Sequence, residues 1–345
     1  MLISVGTYER NLYGVSAKWT AESSSSKDEE PQRLSLEPEY IFPAHAGCIK
    51  AMATGGRFLA SGSTDELIHL YDTRRRKELG TLAQHSGTIT SLVFHGTVNM
   101  LSASDDGEIC VWRSKDWECL ATLKGHKGSV NAVTIHPSGK LALSVGVDKS
   151  LRVWNLETGK QASTSRLRQE GIAVVWSAES ETTPKQYAVL MDRAVEVYDV
   201  NTASLAARIE PAKGLTRLHC LCAAAVPSDD GKSDSAQSIL LVGSEDKMLR
   251  VYDARDGKEL SATKVHDSRL KGIAVSSIPL PPSSDSKQDA SRGTMQVVTT
   301  ISSDGFIKIW DLHHLLKSST ETVQPIGAYD TKKSRLTAVA VTTAH

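Results

Sequence analysis

Six alternating apolar runs each end in an aromatic residue followed by a polar one. The pairs are Tyr71-Asp72, Trp112-Arg113, Trp154-Asn155, Tyr198-Asp199, Tyr252-Asp253 and Trp310-Asp311. The aromatics are 41, 42, 44, 54 and 58 residues apart. The first three spacings match the period of about 40–45 residues expected for a four-stranded propeller blade. The last two enclose residues 227–237 and 279–293, rich in Ser, Asp, Pro and Gly. That composition belongs to a solvated loop, because it offers little apolar surface to bury. An aspartate stands six residues before every aromatic: Asp65, Asp106, Asp148, Asp192, Asp246 and Asp304. Each falls in a short polar turn, and the run after it alternates, as in Ile109-Cys110-Val111-Trp112. Period-two runs of β-branched and aromatic residues suit a pleated sheet.

Six units are explicit, and the two chain ends supply a seventh. Residues 336–341 match the run 130–135 and read as a first strand. Residues 2–8 and 12–19 read as second and third strands, with Trp19 as the terminal aromatic, and residues 39–43 as the outer strand. A blade shared by both ends closes the ring and hides the edge strands that would otherwise template aggregation. The expectation is therefore an all-β chain, one seven-bladed propeller over residues 1–345. A disordered loop is expected at about 21–36, where Ser23 to Ser26 are candidate phosphorylation sites.

A histidine opens several units: His45, His85, His126 after Gly125, and His266. Together with the aspartates and aromatics, it makes nearly the whole chain resemble the WD-repeat family. The resemblance implies a structural network of His, a second-strand Ser or Thr, the turn Asp and Trp within each blade. Its members here would be His85, Ser102, Asp106 and Trp112; then His126, Ser144, Asp148 and Trp154; and Asp304 with Trp310. A buried imidazole and carboxylate are tolerable only when they satisfy one another. The third unit fits best. The fourth and fifth lack a His near Gln169-Glu170 and residues 211–213, and Tyr replaces Trp in three units. Looser networks are expected there.

The same repetition argues against catalysis. A nucleophilic Ser needs one exposed site with an oxyanion hole, whereas the Ser, His and Asp recur once per blade. Gly231-Lys232-Ser233 lacks the earlier glycine of a phosphate loop, since Val226 stands in its place. Cys220 and Cys222 share one strand face without a second ligand pair, and His313-His314 sits in a turn without a partner at ligand spacing. No metal, cofactor or dinucleotide fingerprint is expected. Five cysteines without a disulfide framework suit a reducing interior, and no apolar run reaches the roughly 20 residues of a membrane span. The start of the chain does not read as a signal peptide.

Forty basic residues balance forty acidic ones, so any attraction to a polyanion must be local. Arg74, Arg75, Arg76 and Lys77 form a basic turn on one rim. Arg166 and Arg168 lie in the link between the third and fourth blades near the opposite rim, and Lys332 and Lys333 precede the closing strand with Arg335. These are candidate partner or RNA contacts. RNA contact would need them to converge on one face.

Three segments narrow the resemblance. They are Leu2-Ile3-Ser4-Val5-Gly6-Thr7-Tyr8-Glu9, His45-Ala46-Gly47-Cys48-Ile49-Lys50-Ala51-Met52-Ala53 and Ala60-Ser61-Gly62-Ser63-Thr64-Asp65-Glu66-Leu67-Ile68-His69-Leu70-Tyr71-Asp72. They look like the nucleolar WD-repeat family of the fungal maintenance-of-killer protein and the animal PAK-interacting protein. The resemblance implies a nonenzymatic factor of large (60S) ribosomal subunit biogenesis in the nucleus and nucleolus. It would be a monomer within a large pre-ribosomal particle, held by ribosomal-protein-like assembly factors and rRNA and away from membranes. The alternative it implies is a signalling adaptor that inhibits a p21-activated kinase. Family members often carry a lysine-rich tail after the closing strand, which the residues through His345 do not contain.

Overall fold

The structure, a computed structural model, describes residues 1–20, 33–178, 183–211, 216–227, 236–280, 293–317 and 323–343. Ser23 to Ser26 and Gly231-Lys232-Ser233 lie outside the described residues. Seven four-stranded antiparallel sheets follow one another along the chain. Blade 3 shows the plan: inner strand Val130–Ile135, then Leu141–Gly146, Ser150–Asn155 and outer strand Lys160–Arg166. The inner strands of blades 1 to 7 are Ile49–Gly55, Ile89–His95, Val130–Ile135, Ala173–Trp176, Leu218–Pro227, Leu270–Pro279 and Leu336–Thr342. Each touches the next and the last touches the first, so the ring is closed.

Closure is achieved by the seventh blade. Leu336–Thr342 runs antiparallel to Leu2–Thr7, with Leu2 opposite Thr342 and Thr7 opposite Leu336. Asn11–Trp19 and Leu34–Pro43 complete the sheet. The outer strand is longer than the expected 39–43 and begins at Leu34. Residues 34–36 are thus strand rather than loop, because they pair with Ala17, Lys18 and Trp19. The insertions at 227–237 and 279–293 behave similarly. Pro227 pairs with Ala236 and Pro279 with Thr294, so each insertion first lengthens a hairpin.

Apolar residues pack between neighbouring sheets. Leu101, Ile109 and Val111 of blade 2 meet Val130, Val133 and Trp154 of blade 3 in one buried cluster. Burying each such side chain is worth about 1.5–3 kcal/mol, and the period-two pattern is what presents one row of them to each neighbour. Polarity rises outward: every residue of Lys160–Arg166 is exposed. Blade 6 departs from the turn expected at His313-His314. Leu312–Lys317 forms a short helix there, because Leu312 and Leu315 bury against the cluster that holds Trp310.

Candidate interaction surfaces

The repeated polar residues come first, since they decide what is left for function. In blade 3, Trp154 Nε1 donates to Ser144 Oγ at 2.8 Å, and His126 Nε2 lies 2.7 Å from the same hydroxyl. His126 Nδ1 is 3.1 Å from both Asp148 oxygens. Blade 2 repeats this with Trp112, Ser102, His85 and Asp106, and blade 6 with Trp310, Thr300, His266 and Asp304. In blade 1, His45 bridges Ser61 and Asp65, while Tyr71 takes the tryptophan's place. One proton pattern satisfies the chain: a neutral imidazole donates from Nδ1 to the carboxylate and accepts the hydroxyl proton at Nε2. Burial holds His45 and His126 below the ordinary histidine value, which favours that neutral form.

The aspartate also fastens backbone. Asp148 accepts from the amides of Lys127 and Ser150, Asp106 from Ser86 and Glu108, and Asp304 from Asp267 and Phe306. Burial would raise the Asp148 carboxyl. The Lys127 amide, the Ser150 hydroxyl and His126 outweigh it and hold Asp148 down to about 2. The link between blades is thereby tied to a turn of the next blade. Ser102 and Ser144 are fully buried and already accept a Trp N–H, so neither can attack a substrate.

Blades 4 and 5 are networked differently rather than more loosely. Tyr198 pairs with Tyr187, eleven residues earlier, whereas Trp112, Trp154, Tyr252 and Trp310 pair with residues twelve earlier. The blade 4 turn is therefore one residue short, and Val189 takes the serine's register position. Asp192 keeps its sequence offset yet is half exposed, 3.5 Å from Arg217 and from Arg193. The fully buried carboxylate of this blade is Glu196, which accepts from Tyr198 Oη at 2.5 Å and Arg208 Nη1 at 3.1 Å. In blade 5, Asp246 is held by Ser244 and by Arg250, whose Nη2 is 2.5 Å away.

Blade 7 corrects the place given to Trp19. The register position of Trp112, opposite the residue two before the second-strand serine, is held by Ser16 opposite Leu2. Trp19 lies three residues further on, and its Nε1 donates to Pro279 O at 2.9 Å. Tyr40 from the outer strand instead reaches Ser4 Oγ at 3.0 Å.

Antiparallel order puts inner-to-second and third-to-outer turns on one rim. Second-to-third turns and blade links lie on the other. Arg74, Arg75, Arg76 and Lys77 occupy the first rim. Asp72, 1 % exposed, accepts from the Arg74 and Arg75 amides and lies 3.5 Å from Arg57 Nε, and Arg76 pairs with Glu39 at 2.9 Å. Arg166, Arg168, Lys332 and Lys333 lie on the second rim. Arg168 Nε is 3.7 Å from Glu196, and the two lysines take left-handed φ of 57° and 71°. Blades 4 to 6 separate the two groups along the ring. The basic groups thus fall on two rims and do not converge.

Sequence reasoning missed the channel mouth. In six blades an extra residue bulges the start of the inner strand: Lys50, Thr90, Asn131, His219, Lys271 and Thr337. A bulge re-aims a side chain, and Thr90 and Thr337 so turned donate to Val130 O and Ile49 O of the next inner strand. Lys50, Thr88, Thr90, Asp105, Asn131, Glu170 and Ile172 border a cavity of about 380 Å³ there. The signal was present: Lys50, Thr90, Asn131 and Lys271 each stand five residues past the opening histidine.

Among the described residues no group of three His, Cys, Asp or Glu side chains gathers at metal-holding distance, and no helix is long and apolar enough to cross a membrane. Cys220 and Cys222 pack together against one apolar cluster.

The chain matches the repeat model described as WD domain, G-beta repeat at residues 36–72, 76–113 and 117–155. Each match starts on one blade's outer strand or one residue before it and ends on the next blade's third strand. The chain is 34% identical over 345 residues to a p21-activated protein kinase-interacting protein 1-like of Gallus gallus, covering 99% of this chain and 80% of that protein. It is 35% identical over 312 residues to p21-activated protein kinase-interacting protein 1 of Homo sapiens, 90% of this chain and 70% of that one. It is 36% identical over 222 residues to Protein MAK11 of Saccharomyces cerevisiae, 59% and 52% of the two chains. With a closed seven-bladed ring and a likeness running from end to end, the chain belongs to the WD-repeat family of p21-activated protein kinase-interacting protein 1 and MAK11.

Proposed function

We propose that this protein is a nonenzymatic scaffold of large (60S) ribosomal subunit assembly. It works in the nucleolus as a monomer docked on pre-ribosomal particles through ribosomal-protein-like assembly factors and rRNA. The observation that carries this reading is the likeness to MAK11 over 59% of this chain, within a family likeness that runs from end to end. The structure is compatible with a platform: its repeated Ser, His and Asp groups are consumed in holding blades together, which leaves the rims and the mouth for partners. Arg74 to Lys77 are the rRNA candidates, as a compact basic turn on one rim.

The second reading is a signalling adaptor that binds and inhibits a p21-activated kinase. It draws on the names of the animal relatives. Affinity purification of the tagged intact protein separates the two. Recovery of large-subunit precursor rRNA with assembly factors supports the scaffold. Recovery of a p21-activated kinase without pre-ribosomes overturns it.

A further inference from the structure

Each blade ends in an outer strand, and six of the seven outer edges are covered, broken or already matched in charge. In blade 7 the strand Leu34–Pro43 holds Pro38 and Pro43, and the Leu34 amide is spent on Ile326 O at 2.7 Å. The blade 6 strand Gly327–Asp330 has four residues and lies against it. In blade 5 the helix Leu312–Lys317 packs on Glu259–Lys264. Leu205–Ile209 of blade 4 is short, and its Arg208 turns inward onto Glu196. Lys77–Leu82 of blade 1 is interrupted by Gly80 at a φ of 145°. Glu118–Lys124 of blade 2 has its end charges paired with Arg113 and Glu108. Short strands, prolines and inward charges are devices that stop an edge from templating another chain.

Lys160–Arg166 of blade 3 has none of them. All seven residues are exposed, Gln161 to Ser165 are uncharged, and neither proline nor glycine occurs. Leu167 N donates inward to Lys149 O at 2.8 Å, so alternation along the antiparallel strand turns the N–H and C=O of Thr164 and Arg166 outward. Among the described residues neither Lys160 nor Arg166 has a carboxylate within ion-pair distance, and Glu157 of the adjoining turn pairs with Lys140 instead. Arg152, opposite Thr164, is shared between Asp148, 3.6 Å away, and Gln161, while its buried Nε has no hydrogen-bond partner.

We infer that the outer edge of blade 3 takes up an extended segment of a partner protein as a fifth strand, with an uncharged β-branched middle and an acidic residue at each end. The middle pairs with the outward N–H and C=O of Thr164 and Arg166, as a strand added to a sheet edge does. The acids stand opposite Lys160 and Arg166, where unlike charges across a ladder attract. A second copy of this chain fits badly. Two such strands placed antiparallel set Lys160 against Arg166, and placed parallel they set each cation beside its own copy, so like charges face one another either way. A phosphate backbone would satisfy the cations, but it has no row of N–H groups for the outward carbonyls. The inference goes beyond the scaffold reading and depends on none of its partners.

The test titrates two fluorescein-labelled peptides against the intact chain by anisotropy. Both alternate Thr and Val; one is closed by Asp and Glu, the other by Lys at both ends. The acid-ended peptide should bind, and the lysine-ended one about tenfold more weakly or worse. Thr164→Pro should abolish binding, because it removes an outward N–H that no internal ladder bond uses, and an unchanged melting curve separates lost binding from lost fold. Lys160→Glu with Arg166→Glu should exchange the preference between the two peptides. In amide exchange followed by NMR, bound peptide should slow Thr164 and Arg166 and leave Ser163 and Ser165, already paired inward, unchanged. Binding that ignores both Thr164→Pro and the charge exchange would overturn the site, as would failure of both peptides to bind. A concentration-dependent dimer that Thr164→Pro dissolves would put a second copy at the edge and overturn the partner segment.

Discussion

Tyr40 closes over Gly14: a Cβ on Gly14 would sit 2.2 Å from the tyrosine ring, and the phenol hydroxyl lies 3.0 Å from Ser4 Oγ. The outer strand of the shared blade thus reaches across the third strand to the second, over a residue with no side chain. Gly14→Ala should therefore cost about 1–3 kcal/mol through overpacking. Tyr40→Phe should cost about 1 kcal/mol, the net worth of one hydrogen bond. Urea denaturation of both variants measures this, and a neutral Gly14→Ala would show that the ring has room to move.

The closing strand carries a larger share. Removing residues after Leu336 strips Leu2–Thr7 of its inner partner and takes Val339 and Val341 from the cluster that buries Ile3 and Val5. Two open edges then replace a closed ring. The thermal midpoint should drop substantially and aggregation should follow. An unchanged melting curve would sink the shared-blade closure.

Two aspartates at one sequence offset should behave differently. Asp106→Ala removes the acceptor for His85, Ser86 N and Glu108 N and should cost about 2–4 kcal/mol, since buried donors are left unpaired. Asp192→Ala removes only half-exposed contacts to Arg193 and Arg217 and should stay within about 0.5 kcal/mol. Equal losses would mean that the shorter blade 4 turn does not decide the outcome.

Acid should weaken the fold in two stages. His45 and His126 are held below 6.5 by burial, so the unfolded chain takes up their protons first. Their contribution is whole above 6.5 and declines as pH falls toward their folded values. Asp148 and Asp304 are held at about 2 against an ordinary 3.8, so their contribution is present above 3.8 and lost as pH falls to about 2. Unfolding free energy followed by urea from about pH 7.5 to about pH 3 should fall through both ranges. A flat profile between about pH 7.5 and about pH 5 would contradict buried neutral imidazoles.

The sequence by itself determined the ring. Repeats of one period, each apolar on two faces, can bury those faces only by stacking on their neighbours, and stacking of equal wedges leads back to the first blade. It also located the Asp, His and Trp of blades 2, 3 and 6, because these residues meet across short turns whose length the spacing sets. The tertiary structure decided whatever depends on register between strands distant in sequence. A turn one residue shorter moved Asp192 into solvent, and its blade buries Glu196 instead. Tyr40, not Trp19, serves Ser4, because partnership across a sheet follows pairing rather than order. Lys50, His219 and Lys271 share one mouth only because ring closure brings blades 1, 5 and 6 around a common axis, a relation that no local pattern contains.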